Sequence, residues 1–313
     1  MIESLSRFTC ILNQSLTMID KWTYKQCGSS LSMISSSFFY SLQNLTFKLL
    51  YPHFSLWSIL FFRGVVSASI SMGLILLWKI QPYLGTARSK LCVRGILGCG
   101  NLCLGFLSLT RLSLSLHTIL LSTSTLWTAM LASLWYKEQW HYINNLGVLV
   151  VFAGLFILLW PFDNKGVDRD YETFWGILFA LTSSIFNAMA NVMIQEIREE
   201  STLVIGWYSM TLCALFSSIA LGISEFPSRG LLSFQWESLY VWMLMATGGL
   251  SLVAQNLKHY SLQTTQHLGI LLFKHLDILF SLLWDHVVLK ESIAPKEIYA
   301  ILLILVGCCI KKY

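Results

Sequence analysis

The chain has 313 residues, 55% of them hydrophobic and 12% charged, with a net charge of +5 and a mean hydropathy of +0.64. Soluble domains carry about 25% charged residues, so this composition excludes an ordinary soluble enzyme or nucleic-acid-binding domain and predicts a polytopic membrane protein. The basic excess is assigned to cytoplasmic loops. The eight cysteines (Cys10, Cys27, Cys92, Cys99, Cys103, Cys213, Cys308 and Cys309) have neither zinc-site nor secreted-disulfide spacing, and packing is their expected role.

Residues 1–29 place Leu5, Phe8, Leu12, Leu16, Ile19 and Trp22 at steps of three or four, which predicts an interfacial amphipathic helix. No signal-peptide pattern is visible there. Apolar runs near the roughly 20 residues that span a bilayer follow, at 31–51, 56–79, 91–110, 113–135, 143–161, 173–195, 203–223, 238–257, 265–288 and 297–311. The expected fold is therefore an all-α membrane protein of ten transmembrane helices. Its loops leave no room for a soluble catalytic domain. The polar connector 163–172 separates a first five-helix unit, 30–162, from a second, 173–313.

With the N-terminus inside, twelve basic residues fall on the inner side, Arg94 and Lys258 among them, and six on the outer, which predicts both termini in the cytoplasm. The two units share a pattern. A polar-edged helix, a closing Lys-Glu and a helix containing small residues occur at 107–159 and again at 257–310. Five spans per unit is odd, so the second copy must lie inverted, as in secondary transporters whose site sits between the halves.

These features resemble the drug/metabolite transporter superfamily in its ten-helix EamA-like form, over about residues 30–311. The resemblance rests on Arg63, the Arg94-Gly95 pair, TSTLWTAMLASLWYKE, Gly147 and Gly154 in the first unit, and on AQNLKHYSLQTTQ, DILFSLLW and Lys290-Glu291 in the second. It implies a cavity lined mainly by spans three, four, eight and nine, and alternating access driven by a gradient rather than ATP. No P-loop motif occurs. Relatives often carry proline where this chain has Thr125 and Ile278, so any bend there needs another source.

Span nine, within His267–Glu291, places His267, Lys274, Asp277, Ser281 and Asp285 along one side. Ionisable groups inside a membrane are functional candidates by default. Lys274 is a candidate for binding a carboxylate or phosphate, and Asp277 for holding a substrate cation or coupling proton; an internal ion pair that only fixes packing is the alternative. Asn44 and Lys48 continue a polar seam from Tyr40, and Asn187 and Asn191 form its counterpart in the second unit, as a solute path or as interhelical glue. Arg63 and His117 are further candidates. Trp127, Trp242 and Tyr208 are candidate aromatic cavity walls. Glu138, Glu291, Gly95, Gly98, Gly147, Gly154, Gly248 and Gly249 read as architectural.

The expected function is secondary transport of a small polar metabolite. The specific expectation, from relatives in intracellular bacteria, is S-adenosylmethionine exchanged for S-adenosylhomocysteine; a nucleotide-sugar or organic-phosphate antiporter and a proton-coupled drug exporter are alternatives. An embedded enzyme or scaffold fits less well, since neither clustered metal ligands nor an HExxH motif is present. The remaining expectations are no cofactor or metal, no nucleic-acid partner, a monomer or homodimer in the bilayer, and a cell or inner membrane if the source is bacterial.

Overall fold

The computed structural model describes residues 28–136, 167–224, 238–264 and 273–290, with isolated positions between 146 and 157 and between 298 and 306. All regular structure among these residues is helical. The helices are α1 (28–50), α2 (Leu56–Leu77), α3 (Arg88–Leu109), α4 (Leu114–Ser122), α5 (Ser124–Tyr136), α6 (Val167–Glu196), α7 (Thr202–Ser224), α8 (Ser238–Thr264) and α9 (Leu276–Val287). Among the described residues, five segments are long and apolar enough to cross a membrane: α2, α3, the α4–α5 pair, α6 from Tyr171, and α7 to Ile223. The expected N-terminal amphipathic helix and most of the fifth and tenth spans lie outside the described residues.

Local chemistry explains the boundaries. Ser55 caps α2 by accepting from the Ser58 amide at 3.2 Å, so the turn 51–55 falls where the sequence places it. α6 starts at Val167, inside the stretch expected as a polar connector, and its Glu172 pairs with Arg111 at 3.2 Å. Helices of the first half pack chiefly on helices of the second: α2 on α7 and α8, α3 on α6 and α7, α5 on α6, and α4 on α6 and α9. The halves are thus interleaved around one core, with Leu50, Leu60, Leu109 and Cys213 in its largest apolar cluster.

Gly64 and Gly248 are among the glycines that permit close approach. A methyl at Gly64 would lie 2.9 Å from the Ala214 backbone nitrogen, and one at Gly248 would lie 2.6 Å from Val66. Gly249, expected to serve the same purpose, has nothing within 4 Å.

One end of the bundle is latched across the halves. α3 begins after Ala87 without a side-chain cap of its own. Glu200, between α6 and α7, supplies one. Its Oε1 accepts from the amides of Thr86 (2.6 Å) and Ala87 (2.8 Å) and from the Thr86 hydroxyl. Gln263 of α8 donates to the Glu200 carbonyl at 2.8 Å, and Lys90 pairs with Glu196 at 2.9 Å. Burial opposes the Glu200 charge, yet the bonds from Thr86 and Ala87 outweigh it and hold the carboxyl below its ordinary pKa. A depressed carboxyl stabilises the fold above its unfolded pKa, and that contribution is lost as pH falls through the folded value. Glu200→Ala should cost about 1 kcal/mol at neutral pH, the usual worth of an N-cap. In thermal unfolding in detergent, the gap between wild type and variant should narrow as the pH is lowered below about 4; a gap independent of pH would show that the charge contributes nothing.

Candidate functional site

A cavity opens between the halves, with about 880 Å³ of empty space counted out through its mouth. α1, α3, α4, α6, α7 and α8 all contribute to its wall, as do Lys274 and Asp277. The implied lining by spans three, four, eight and nine is present, and α1, α6 and α7, from spans that the resemblance implies help to close the cavity, contribute to it as well.

Its charge is the central feature. Among the described residues, Arg94, Lys258 and Lys274 line the cavity together with one carboxylate, Asp277. Two of the cations are joined through neutral groups. Lys258 Nζ donates to Asn187 Oδ1 at 2.9 Å, Asn187 Nδ2 donates to Ser124 Oγ at 3.0 Å, and Lys274 Nζ donates to the same hydroxyl at 3.3 Å. Arg94 donates to Ser209 Oγ and, at 2.8 Å, approaches His259 Nε2. A guanidinium only donates, so this ring nitrogen is the acceptor and His259 is neutral. Asp277 is buried, and its Oδ1 has no hydrogen-bond partner among the described residues.

Ser124 sits where the fourth span breaks. α4 ends at Ser122 and α5 begins at Ser124, with Thr123 bonding back to Leu120 at 3.3 Å. The hydroxyls of Ser122, Thr123 and Thr125 each donate to the carbonyl three residues earlier. Such back-bonding competes with the helical ladder and bends helices, which supplies a source of irregularity here without proline. On α9, Asp277, Ser281 and Asp285 are buried while Leu279 and Leu283 are exposed, so the polar side read from sequence faces inward. Ser281 meets Thr118 at 2.9 Å, and Asp285 accepts from the Ser115 amide at 2.7 Å in the first turn of α4.

Of the residues singled out by sequence, Lys274, Asp277, Asn44, Asn187 and His117 line the cavity. His117 is fixed by Ser108 through Nδ1. Arg63 stands behind the wall, 1% exposed. It donates to Ser251 at 2.9 and 3.1 Å and to the Gln43 amide at 3.3 Å, with its guanidinium 4.8 Å from the Phe106 ring centre. It therefore supports Gln43 and Phe106, which do line the cavity. Asn191 is buried outside the lining, and Lys48 and Trp127 are half-buried outside it. Trp242 is 73% exposed on the outer surface, where aromatic residues commonly sit in membrane proteins, so it is no cavity wall. Tyr208 turns to the latch instead and donates to the Leu84 carbonyl at 3.1 Å. His267 lies outside the described residues.

Sequence reasoning missed Arg94, Lys258 and Gln255 as lining groups. Arg94 and Lys258 stand near the ends of apolar runs and read as loop charges. Yet α3 starts at Arg88 and α8 continues to Thr264, so both lie well inside helices.

Interleaved apolar helices from two halves, set around a charged cavity, are the architecture of a multi-pass membrane protein. The model of the EamA-like transporter family matches residues 29–160 and 174–311, and the chain belongs to that family, whose members are transporters rather than enzymes. No curated protein matches the sequence. A crystal structure described only as that of a protein shares the fold, with a TM-score of 0.64 and 15% identity over 90% of this chain and 96% of the other.

Proposed function

We propose that this protein is a secondary carrier that exchanges small organic anions across the membrane by alternating access. The observation that carries this reading is the convergence of Arg94, Lys258 and Lys274 on one cavity whose described lining includes a single carboxylate. A carboxylate or phosphate group would be held by Arg94 and Lys258 through charge-assisted bonds. Asp277, with an oxygen to spare, would take a hydroxyl or ammonium of the same solute. The organic-phosphate and nucleotide-sugar alternative gains from the two cations absent from the sequence reading. S-adenosylmethionine loses ground, because its sulfonium would face three cations and one anion. Proton-coupled drug export has no dedicated feature in the cavity. With Arg94 and Lys258 removed from the inner loops, the basic bias is ten to six and still supports both termini in the cytoplasm.

The test is uptake into proteoliposomes of labelled organic anions, amino acids and S-adenosylmethionine. Saturable uptake of an anion, stimulated by anions preloaded inside and lost in Lys274→Ala and Asp277→Asn, is expected. Accumulation of S-adenosylmethionine with no anion uptake would overturn the reading.

A further inference from the structure

A second cluster lies outside the cavity. Cys99 and Cys103 are one helical turn apart on α3, and Cys213 on α7 faces them. Their three sulfurs lie within 4.8 Å of one another, and all three residues are buried. None of them lines the solute cavity. The spacing in sequence gives no hint of this, because the third sulfur comes from the other half of the chain.

We propose that Cys99, Cys103 and Cys213 form a trigonal site for a thiophilic monovalent metal ion of the Cu(I) class. A metal–sulfur bond of about 2.3 Å puts the sulfurs of a planar three-coordinate site about 4.0 Å apart, and Cys99 and Cys103 already stand at 3.9 Å. Soft thiolates select Cu(I), whereas structural Zn²⁺ takes four ligands in almost every case. No fourth cysteine, histidine or carboxylate joins the cluster among the described residues. On binding, each sulfur gives up its proton to water and forms a bond to the ion, which remains Cu(I), so no oxidant or reductant is needed. The product is anionic in an apolar interior. Three thiolates around one Cu(I) leave two negative charges, and Arg63, whose charge interacts with both Cys213 and Cys103, offsets one of them. Such an ion would bridge α3 of the first half and α7 of the second.

The test uses the full chain with Cys10, Cys27, Cys92, Cys308 and Cys309 changed to serine, titrated anaerobically with Cu(I) against a chromophoric Cu(I) chelator. One ion per chain, a three-sulfur shell by X-ray absorption, and at least hundredfold weaker binding in Cys213→Ser are expected. A second variant, Cys103→Ala, should weaken binding equally, so loss of fold in one variant leaves the other as the readout; folding is checked by gel filtration. A folded five-serine protein that takes up no Cu(I), a shell with fewer than three sulfurs, or unchanged binding in a folded variant would each overturn the proposal. The readout is binding, so it stands or falls independently of transport.

Discussion

Lys258→Met should raise the solute concentration for half-maximal uptake by roughly ten- to a hundredfold, the equivalent of about 1.5–3 kcal/mol for a hydrogen bond to a charged group. Lys258 is buried on α8 and reaches Asn187, a wall residue of α6, at 2.9 Å. Methionine retains much of the lysine's length and apolar stem, so α8 keeps its packing. Asn187 would still donate to Ser124. What is removed is one of three positive charges facing the solute. A structural role alone would lower thermal stability and leave the affinity of the surviving protein unchanged. Uptake kinetics paired with thermal unfolding of the same preparations distinguish the two, and unaltered affinity would remove Lys258 from the binding site.

The largest effect on folding should come from Gly64. A methyl there meets Ala214 at three atoms, two of them backbone, at 2.9–3.0 Å. Backbone cannot rotate away, so α2 and α7 must separate, and this pair is the most extensive contact between the halves. Overpacking a well-packed interior costs about 1–3 kcal/mol. Gly64→Ala should lose at least that much, and Gly64→Val should yield no monodisperse protein in detergent. Gly73, on the same helix, has nothing within 4 Å. Gly73→Ala should be neutral or stabilising by up to about 1 kcal/mol, the helix propensity difference. Equal behaviour of the two alanine variants in gel filtration and thermal unfolding would show that α2 does not approach α7 at Gly64.

Apolar periodicity located the described helices because bilayer length and helical rise leave few alternatives. The turn at 51–55 and the inward side of α9 were legible for the same reason, and polar side chains isolated in apolar runs marked Asn44, Asn187, Lys274 and Asp277. Arg94 and Lys258 were not legible as site residues. Charges near the end of a hydrophobic window look like loop charges until helix boundaries are known, and LKHYSLQT contains no breaker to reveal that α8 runs on to Thr264. Trp242 failed in the opposite sense, since an aromatic ring suits a lipid face as well as a cavity. The break at Thr123 was hidden because serine and threonine bend a helix less conspicuously than proline. The capping of α3 by Glu200 and the meeting of Cys213 with Cys99 and Cys103 depend on contacts more than a hundred residues apart, which no local pattern encodes.

The most direct measurement is a structure of the protein determined with a transported anion bound. Solute density should lie between Arg94 and Lys258 at one end and Lys274 and Asp277 at the other. Density elsewhere, with Arg94 and Lys258 uncontacted, would contradict a cationic cavity built to carry an organic anion.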